Sequence, residues 1–247
     1  QPGGGADRRG SAHAPAAGDG RIVKALPWRP RQPRNALEIL RTPEERFAAL
    51  PGFPCPPRYI EDLAGFAGLR LAYIDEGAGE RTFLCLHGQP TWSYLYRRML
   101  PAFLASGARV VAPDLFGFGR SDKPADEGFY TFTRHRDTLI AFVERLHLTR
   151  ITLVVQDWGG LLGLTLPLAM PARIERLLVM NTMFATGEPP LPPGFIAWRA
   201  WANANPDMDP GRLIRRGCPH LIEAEAAAYS APYPNARYKA GVRRFPN

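Results

Sequence analysis

The chain has 247 residues, of which 45% are hydrophobic and 11% aromatic. That is enough to bury the core of one α/β domain, or of one and a half ordinary domains. The formal net charge of +8 at pH 7 would suit a nucleic-acid partner, but the distribution of the charge argues against one. Hydrophobic runs long enough to cross a membrane, or shaped like a signal peptide, are also lacking.

The positive charge is concentrated in residues 1–34, which hold seven basic and two acidic residues and so carry five of the eight net charges. This stretch is rich in Gly, Pro, Ala and Arg, a composition that predicts a solvated, disordered tail. Its arginines are not regularly interleaved with aromatic residues, so no nucleic-acid partner is expected.

The three cysteines, Cys55, Cys85 and Cys218, show neither paired nor metal-type spacing. They are interpreted as reduced thiols of a cytoplasmic protein, with no metal and no cofactor. No membrane partner is expected either.

Alternating elements follow the tail. Ordered structure is predicted to begin near Thr42, which can cap a short helix, with Glu45 completing a capping box. Apolar runs predict strands, and helical spacing predicts helices. The predicted strands are 69–75 (half-buried), 82–86, 109–112, 151–156 and 176–180, and the predicted helices are 95–104, 132–146, 161–170 and 221–229.

This alternation predicts an α/β fold with a mostly parallel sheet and right-handed crossovers. The character of the chain changes after residue 181. Residues 186–211 are rich in Pro, Gly, Trp and Asn, and an Ala/Glu-rich helix follows. The predicted domains are therefore the tail 1–34, an α/β core 35–181 and a helical cap 182–247 that lies over the sheet.

The most informative stretch is residues 151–163, where an apolar run ends at Gln156 and an apolar helix begins after Gly160. Asp157 lies between them, directly before two glycines that permit a sharp reversal. This is the pattern of a nucleophile elbow, in which the usual serine is replaced by a carboxylate. The alternative is that Asp157 simply caps the following helix.

Two other polar residues end apolar runs. His87 and Asp114 are each interpreted as residues that hold a loop rather than as catalysts. The glycines at Gly117 and Gly119 lack the third glycine and the downstream acid of a dinucleotide-binding motif, so they are interpreted as a loop at the end of a strand.

Taken in order, these motifs resemble the α/β-hydrolases and, within them, the haloalkane dehalogenases of the branch that degrades dichloroethane. The resemblance runs from about residue 35 to the last residue. It rests on the segments HGQPTWSYLYR at 87–97, PDLFGFGRSDKP at 113–124, VVQDWGG at 154–160, GFIAW at 194–198 and AGVRRFP at 240–246.

The resemblance implies that Asp157 is the nucleophile, which displaces a halide from carbon and leaves an alkyl ester on the enzyme. A carboxylate with an ordinary pKa near ~3.9 is already ionised at neutral pH, so this step needs no base. Water would then attack the ester. The backbone N–H groups of Gln89 and Trp158 would stabilise the oxyanion of that second step.

The resemblance also implies a halide site. The indole N–H groups of Trp158 and Trp198 would bind the leaving anion, which is costly to bury without donors. Gln89 stands where an acid or an asparagine is expected, and its side-chain amide could also donate to the halide. The apolar cavity would be lined by Phe184, Phe195 and Trp201. Each tryptophan could instead be ordinary core.

Part of the family's machinery is not found in the sequence. His220 is the one histidine downstream of Asp157, and it lies in the cap-like region, where it is not expected to act as the base. No acid follows the strand that ends before Asn181. The chain is therefore interpreted as cut off after the cap, without its C-terminal strands.

The expected partners are a small halogenated substrate, a halide ion and water, and the expected state is a monomer. An epoxide hydrolase is the rival enzyme, with Tyr229, Tyr233 or Tyr238 holding the epoxide oxygen. A non-catalytic ligand-binding protein, or an inactive fragment without the base, is the alternative from another class.

Overall fold

The structure is a computed structural model that describes residues 37–184, 187 and 190–247. The predicted tail 1–34 lies outside the described residues. No helix in the described part of the chain is both long and apolar enough to cross a membrane.

The described residues form eight strands. Six of them make one sheet in the order β2-β3-β5-β4-β7-β8, and β1 pairs with β6 in a separate antiparallel ribbon. The strands β4, β5, β7 and β8 are parallel, while β2 and β3 run antiparallel at one edge. The bounds are β1 Ile39–Leu40, β2 Arg58–Ile60, β3 Leu71–Glu76, β4 Thr82–Leu86, β5 Arg109–Pro113, β6 Lys123–Pro124, β7 Ile151–Gln156 and β8 Ile174–Met180.

The strand predictions are largely confirmed, because long apolar runs belong to strands that are covered on both faces. The strand β4 has the predicted bounds. The strand β3 was expected to be half-buried, and that expectation is wrong: its first five residues are all buried. A polar residue of this strand is buried because it has a partner: Asp75 forms a bidentate ion pair with Arg109 on the neighbouring strand β5.

Helices cover the sheet and make up the segment after β8. The bounds are α1 Leu100–Ala105, α2 Phe132–Arg145, α3 Trp158–Gly163, α4 Leu166–Ala169, α5 Pro193–Ala204, α6 Pro210–Gly217, α7 Glu223–Ser230 and α8 Ala240–Arg244. No strand occurs among residues 190–247, which agrees with a helical segment there.

Two helices are shorter than predicted. The predicted helix 161–170 is interrupted between α3 and α4. Pro167 has no N–H to donate to the carbonyl four residues earlier, and its ring clashes with that carbonyl. The predicted helix 95–104 is a 3₁₀ turn at Ser93–Tyr96 followed by α1, which carries Pro101 in its first turn.

The predicted cap at Thr42 is wrong. A 3₁₀ turn at Glu44–Phe47 follows Pro43, and no side chain caps it. The Thr42 hydroxyl instead donates to the carbonyl oxygen of Pro232 at 2.7 Å, and so ties this segment to the end of α7.

The parallel register places three loops together. Leu86 at the end of β4 pairs with Val155 near the end of β7, and β4 pairs on its other side with β5. The loops that begin at His87, Asp114 and Asp157 therefore leave the sheet at one edge, where the carboxyl ends of parallel strands form binding sites.

The strand β8 is unlike its neighbours. Among the described residues it is an outer strand of the sheet, and both of its faces are open. Leu177 and Val179 are 51% and 47% exposed, whereas their partners on β7, Leu153 and Val155, are fully buried. An open apolar edge of this kind promotes association.

The substitution Leu177→Lys tests this difference. Because Leu177 is exposed, we expect the melting temperature to change little and the soluble fraction of the 247-residue chain to rise. The matched control is Leu153→Lys on the paired position of β7, which should unfold the chain because it buries an unpaired charge. Aggregation by light scattering and thermal melts would measure both. Equal damage by the two lysines would contradict the open edge.

Candidate active site

The turn between β7 and α3 has the strand–turn–helix shape predicted for an elbow. Asp157 has φ 53° and ψ −128°, a backbone conformation that residues other than glycine rarely adopt. Its N–H donates to the carbonyl oxygen of Asn181 at 3.2 Å, and its own carbonyl oxygen accepts the Thr182 hydroxyl at 2.7 Å. Strain of this kind persists only where the surrounding structure holds it.

The glycines around Asp157 are required by close approach. A Cβ at Gly159 would lie 2.0 Å from the Leu86 carbonyl oxygen, and one at Gly160 would lie 2.1 Å from the Thr182 hydroxyl oxygen. A Cβ at Gly88 would lie 2.3 Å from Oδ1 of Asp157. The carboxylate therefore rests directly on the loop after β4.

The Asp157 side chain does not cap α3, so the helix-cap interpretation is wrong. Its Oδ1 instead accepts the backbone N–H of Gln89 at 2.7 Å. The backbone N–H of Trp158 also donates to the carboxylate. The two N–H groups named from the sequence thus converge on this carboxylate.

The pKa of Asp157 is raised above its ordinary value. The main cause is burial, which penalises the charged form, and the N–H groups of Trp158 and Gln89 partly oppose it. Two hydrogen bonds from neutral amides hold the carboxylate in place, and no cation among the described residues pairs with it. That is an environment suited to a nucleophile.

Trp158, the first residue of α3, faces an apolar neighbour and a cavity. Its ring meets Phe245 edge-to-face with 5.0 Å between centroids. Both rings line a cavity of about 170 Å³, together with Leu162 and His135. Among the described residues none accepts the Trp158 indole N–H, whereas the buried Trp92 donates its own to the Ala228 carbonyl oxygen at 3.2 Å.

Phe245 was not named as a site residue from the sequence. The signal was present, because it lies in AGVRRFP, one of the segments that carry the resemblance. Its contact with Trp158 joins residues 87 apart in the chain, and spacing alone does not predict such a contact.

The remaining predicted site residues lie on or near α5. Trp198 is half-buried, packs against the same core cluster as Trp158 and stacks on Trp201 with 5.4 Å between centroids. Trp201 lines a separate cavity of about 530 Å³ with residues of α6. Phe195 is half-buried, and Phe184 is 51% exposed. No described contact brings these four to Asp157, so their roles stay predictions.

The side-chain amide of Gln89 is already engaged. Its Nε2 donates to the carbonyl oxygen of Val242 in α8 at 3.1 Å. The side-chain amide of Gln89, which was predicted to donate to the halide, therefore links the loop after β4 to α8.

The loop-holding residues are as predicted. His87 is fully buried; its Nε2 accepts the N–H of Leu115 at 3.0 Å, and its Nδ1 lies 2.9 Å from the Gly88 carbonyl oxygen. Burial lowers the pKa of His87, which favours the neutral form. Asp114 accepts the backbone N–H groups of Ser93 and Arg120 at 2.8 and 2.9 Å.

None of the four described histidines contacts the Asp157 carboxylate. His87 is held by Leu115, and His147 and His220 are exposed. His135 is buried between Tyr130 and Phe245, and burial lowers its pKa to about 3.

No described hydrogen bond joins the tyrosines that an epoxide hydrolase would need to Asp157, although the buried Tyr233 hydroxyl has no partner among the described residues. The Tyr229 hydroxyl accepts from Nη1 of Arg97 at 3.0 Å, inside a buried cluster that also contains Glu225. Tyr233 is fully buried in the main core, and Tyr238 packs against that core. The geometry thus gives no support to the rival enzyme.

A mostly parallel sheet with a strained acid at a strand–elbow–helix turn defines the class of the protein, which is the α/β-hydrolase fold. The α/β-hydrolase fold family matches residues 81–213.

Comparison with known proteins identifies the family within this fold class. Haloalkane dehalogenases from Psychrobacter cryohalolentis and Mycobacterium bovis are 45% and 46% identical to the chain, and the matches cover 85% of it and 70% and 71% of the relatives. The tetrameric structure of haloalkane dehalogenase DpaA from Paraglaciecola agarilytica has a TM-score of 0.83 and 52% identity, covering 85% of this chain and 71% of DpaA. The chain belongs to the haloalkane dehalogenase family, a family of hydrolases.

The raised pKa of Asp157 leads to a stability prediction. A carboxyl whose pKa is higher in the folded protein stabilises it most when protonated, and that contribution is lost as the pH rises through the raised pKa. Asp157→Asn, which stays neutral, should therefore raise the melting temperature at pH 7, and the gain should shrink towards acidic pH.

The matched control is Asp114→Asn. It replaces one of two accepting oxygens with a donor that faces a buried N–H, so it should destabilise the chain by about 1–3 kcal/mol. Melts of both variants at several pH values would measure this. A lower melting temperature for Asp157→Asn at pH 7 would contradict the assigned environment of Asp157.

Proposed function

We propose that Asp157 is the nucleophile of hydrolytic dehalogenation. A carboxylate oxygen attacks the carbon that bears the halogen, the carbon–halogen bond breaks, and the halide leaves with the bonding electrons. The product is an alkyl ester of Asp157. The observation that carries this proposal is the elbow geometry, with Oδ1 held 2.7 Å from the Gln89 N–H and no cation from the described part of the chain paired with the carboxylate.

The ester is opened in a second step. The oxygen of water bonds to the carboxyl carbon, the bond between that carbon and the alkoxy oxygen breaks, and the alcohol leaves while Asp157 is restored. The negative charge on the carbonyl oxygen develops beside the N–H groups of Gln89 and Trp158, which need not reorganise to stabilise it.

The first step needs a donor for the departing anion in an apolar surrounding. Trp158 supports this role, because its indole N–H has no acceptor among the described residues and its ring borders the 170 Å³ cavity. Trp198 is proposed as the second donor. Phe184, Phe195 and Trp201 are proposed to line an apolar substrate cavity, with residues 182–247 acting as a cap. A monomer in the cytoplasm is the proposed state.

The two steps make different demands on the chain. Displacement needs Asp157 and the halide donors, whereas attack by water needs a base, and no described histidine contacts the carboxylate. We therefore expect the 247-residue chain to be alkylated in a single turnover. Incubation with 1,2-dibromoethane should add one bromoethyl group to the intact mass and release about one bromide per chain.

Asp157→Asn is the control for this reaction, and it should give neither adduct nor bromide. Peptide mapping should place the adduct on the fragment that contains Asp157. Absence of any adduct from the wild-type chain would overturn the nucleophile proposal, and continuous bromide release would overturn the single turnover.

The halide donors are tested separately. Trp158→Phe removes one N–H and should weaken bromide binding about tenfold or more, since a hydrogen bond to an ion contributes about 1.5–3 kcal/mol. Quenching of tryptophan fluorescence by bromide would measure the affinity. The control is Trp92→Phe. The indole N–H that it removes donates to the Ala228 carbonyl oxygen, so bromide affinity should be unchanged. Equal affinities in all three proteins would remove Trp158 from the halide site.

A further inference from the structure

One carbonyl group of α8 has lost its usual partner. In a continuing helix the carbonyl oxygen of Val242 would accept the N–H of residue 246, but residue 246 is Pro and has no N–H. Val242 is fully buried, so water does not replace the missing donor. A buried carbonyl oxygen in this position requires a donor from elsewhere.

Gln89 supplies that donor across 153 residues. Its Nε2 lies 3.1 Å from the Val242 oxygen, while its backbone N–H lies 2.7 Å from Oδ1 of Asp157. One residue therefore contacts both the nucleophile and α8. Its backbone makes the first contact and its side chain makes the second.

The helix α8 in turn places Phe245 in the site. The Phe245 ring packs edge-to-face on Trp158, with 5.0 Å between centroids, and on Phe118, with 4.6 Å. The other side of α8 approaches the β5 loop so closely that a Cβ at Gly117 would lie 3.2 Å from the Gly241 Cα. A small shift of α8 would therefore move the Phe245 ring relative to Trp158.

We propose that Gln89 is a positioning residue. Its side chain fixes α8 against the loop after β4 and thereby sets the space between Phe245 and Trp158. The residue acts through Val242 rather than on the halide. The consequence for substrate choice rests on the proposed function, while the consequence for α8 does not.

The chemistry of the amide is specific. A leucine at position 89 would keep the backbone N–H to Asp157 and lose the donor to Val242. A glutamate would do the same when ionised, because a carboxylate only accepts, but its protonated form donates an O–H. The variant Q89E should therefore behave as Q89L at pH 8 and recover towards wild type as the pH falls.

Hydrogen exchange of α8 in halide-free protein is the first measurement, expressed as protection factors so that pH values can be compared. In Q89L, and in Q89E at pH 8, we expect the amides of residues 240–245 to lose about tenfold in protection, the effect of one lost hydrogen bond. In Q89E at pH 4, where a glutamate of ordinary pKa, about 4.3, is mostly protonated, protection should return. Unchanged protection in both variants at pH 8, or no recovery of Q89E, would overturn the proposal.

Alkylation rates are the second measurement, with ethyl, propyl and butyl bromide and with ethyl chloride. A positioning role predicts that Q89L changes the ratio between ethyl and butyl bromide severalfold and leaves the ratio between ethyl bromide and ethyl chloride nearly unchanged. A direct halide donor predicts the reverse, since chloride depends more on its hydrogen bonds, and that reverse result would also overturn the proposal.

Failure of the proposed function is distinguishable from failure of this inference. If wild-type protein forms no adduct but the exchange of α8 responds as described, Gln89 still positions α8 and Asp157 is not the nucleophile. If the adduct forms in wild type while α8 exchanges identically in the variants, Asp157 is still the nucleophile and Gln89 does not position α8.

Discussion

The site depends on one hydrogen bond, from the backbone N–H of Gln89 to Oδ1 of Asp157. It joins the loop after β4 to the turn after β7, and it forms because Leu86 and Val155 lie opposite each other in a parallel register. A register shifted by one residue would displace the turn at Asp157 by about 3.3 Å relative to the loop after β4, too far for this hydrogen bond. Gly88 and Gly159 permit the close approach, since a Cβ on either would overlap the neighbouring strand's loop.

The same contact resolves a conflict between burial and charge. Burial raises the pKa of Asp157, which opposes ionisation, but it also removes water that would otherwise solvate the carboxylate oxygen proposed to attack the substrate. Backbone N–H groups from Gln89 and Trp158 hold the carboxylate with neutral dipoles, and none of the described cations pairs with it. A serine in this place would need a base for its first step, whereas the ionised acid does not. In the proposed reaction the demand for donors moves to the leaving halide, which we place beside the ring of Trp158.

Sequence reasoning succeeded where the physics is local. Buried parallel strands are continuous apolar runs, so β4 and β7 were predicted correctly, and the two glycines after Asp157 indicated the elbow. It failed where prolines compete with helical spacing, as at Pro167. It also failed where a partner is distant: nothing near Gln89 indicates Val242, and Phe245 meets Trp158 only because α8 returns to the elbow. The breaks at proline could have been foreseen, and the long-range pairs could not.

The described residues divide the chemistry unevenly. Asp157 and the backbone N–H of Gln89 lie on two loops that a single sheet edge brings together, whereas Trp198, the second proposed halide donor, lies on α5. The groups for hydrolysis must include a base that reaches the ester. His87 is committed to Leu115 and so cannot serve, although it lies in the same loop as Gln89. A histidine at a strand end is therefore no guide to the base in this fold. What identifies a base is an unengaged ring nitrogen within reach of the Asp157 carboxyl carbon.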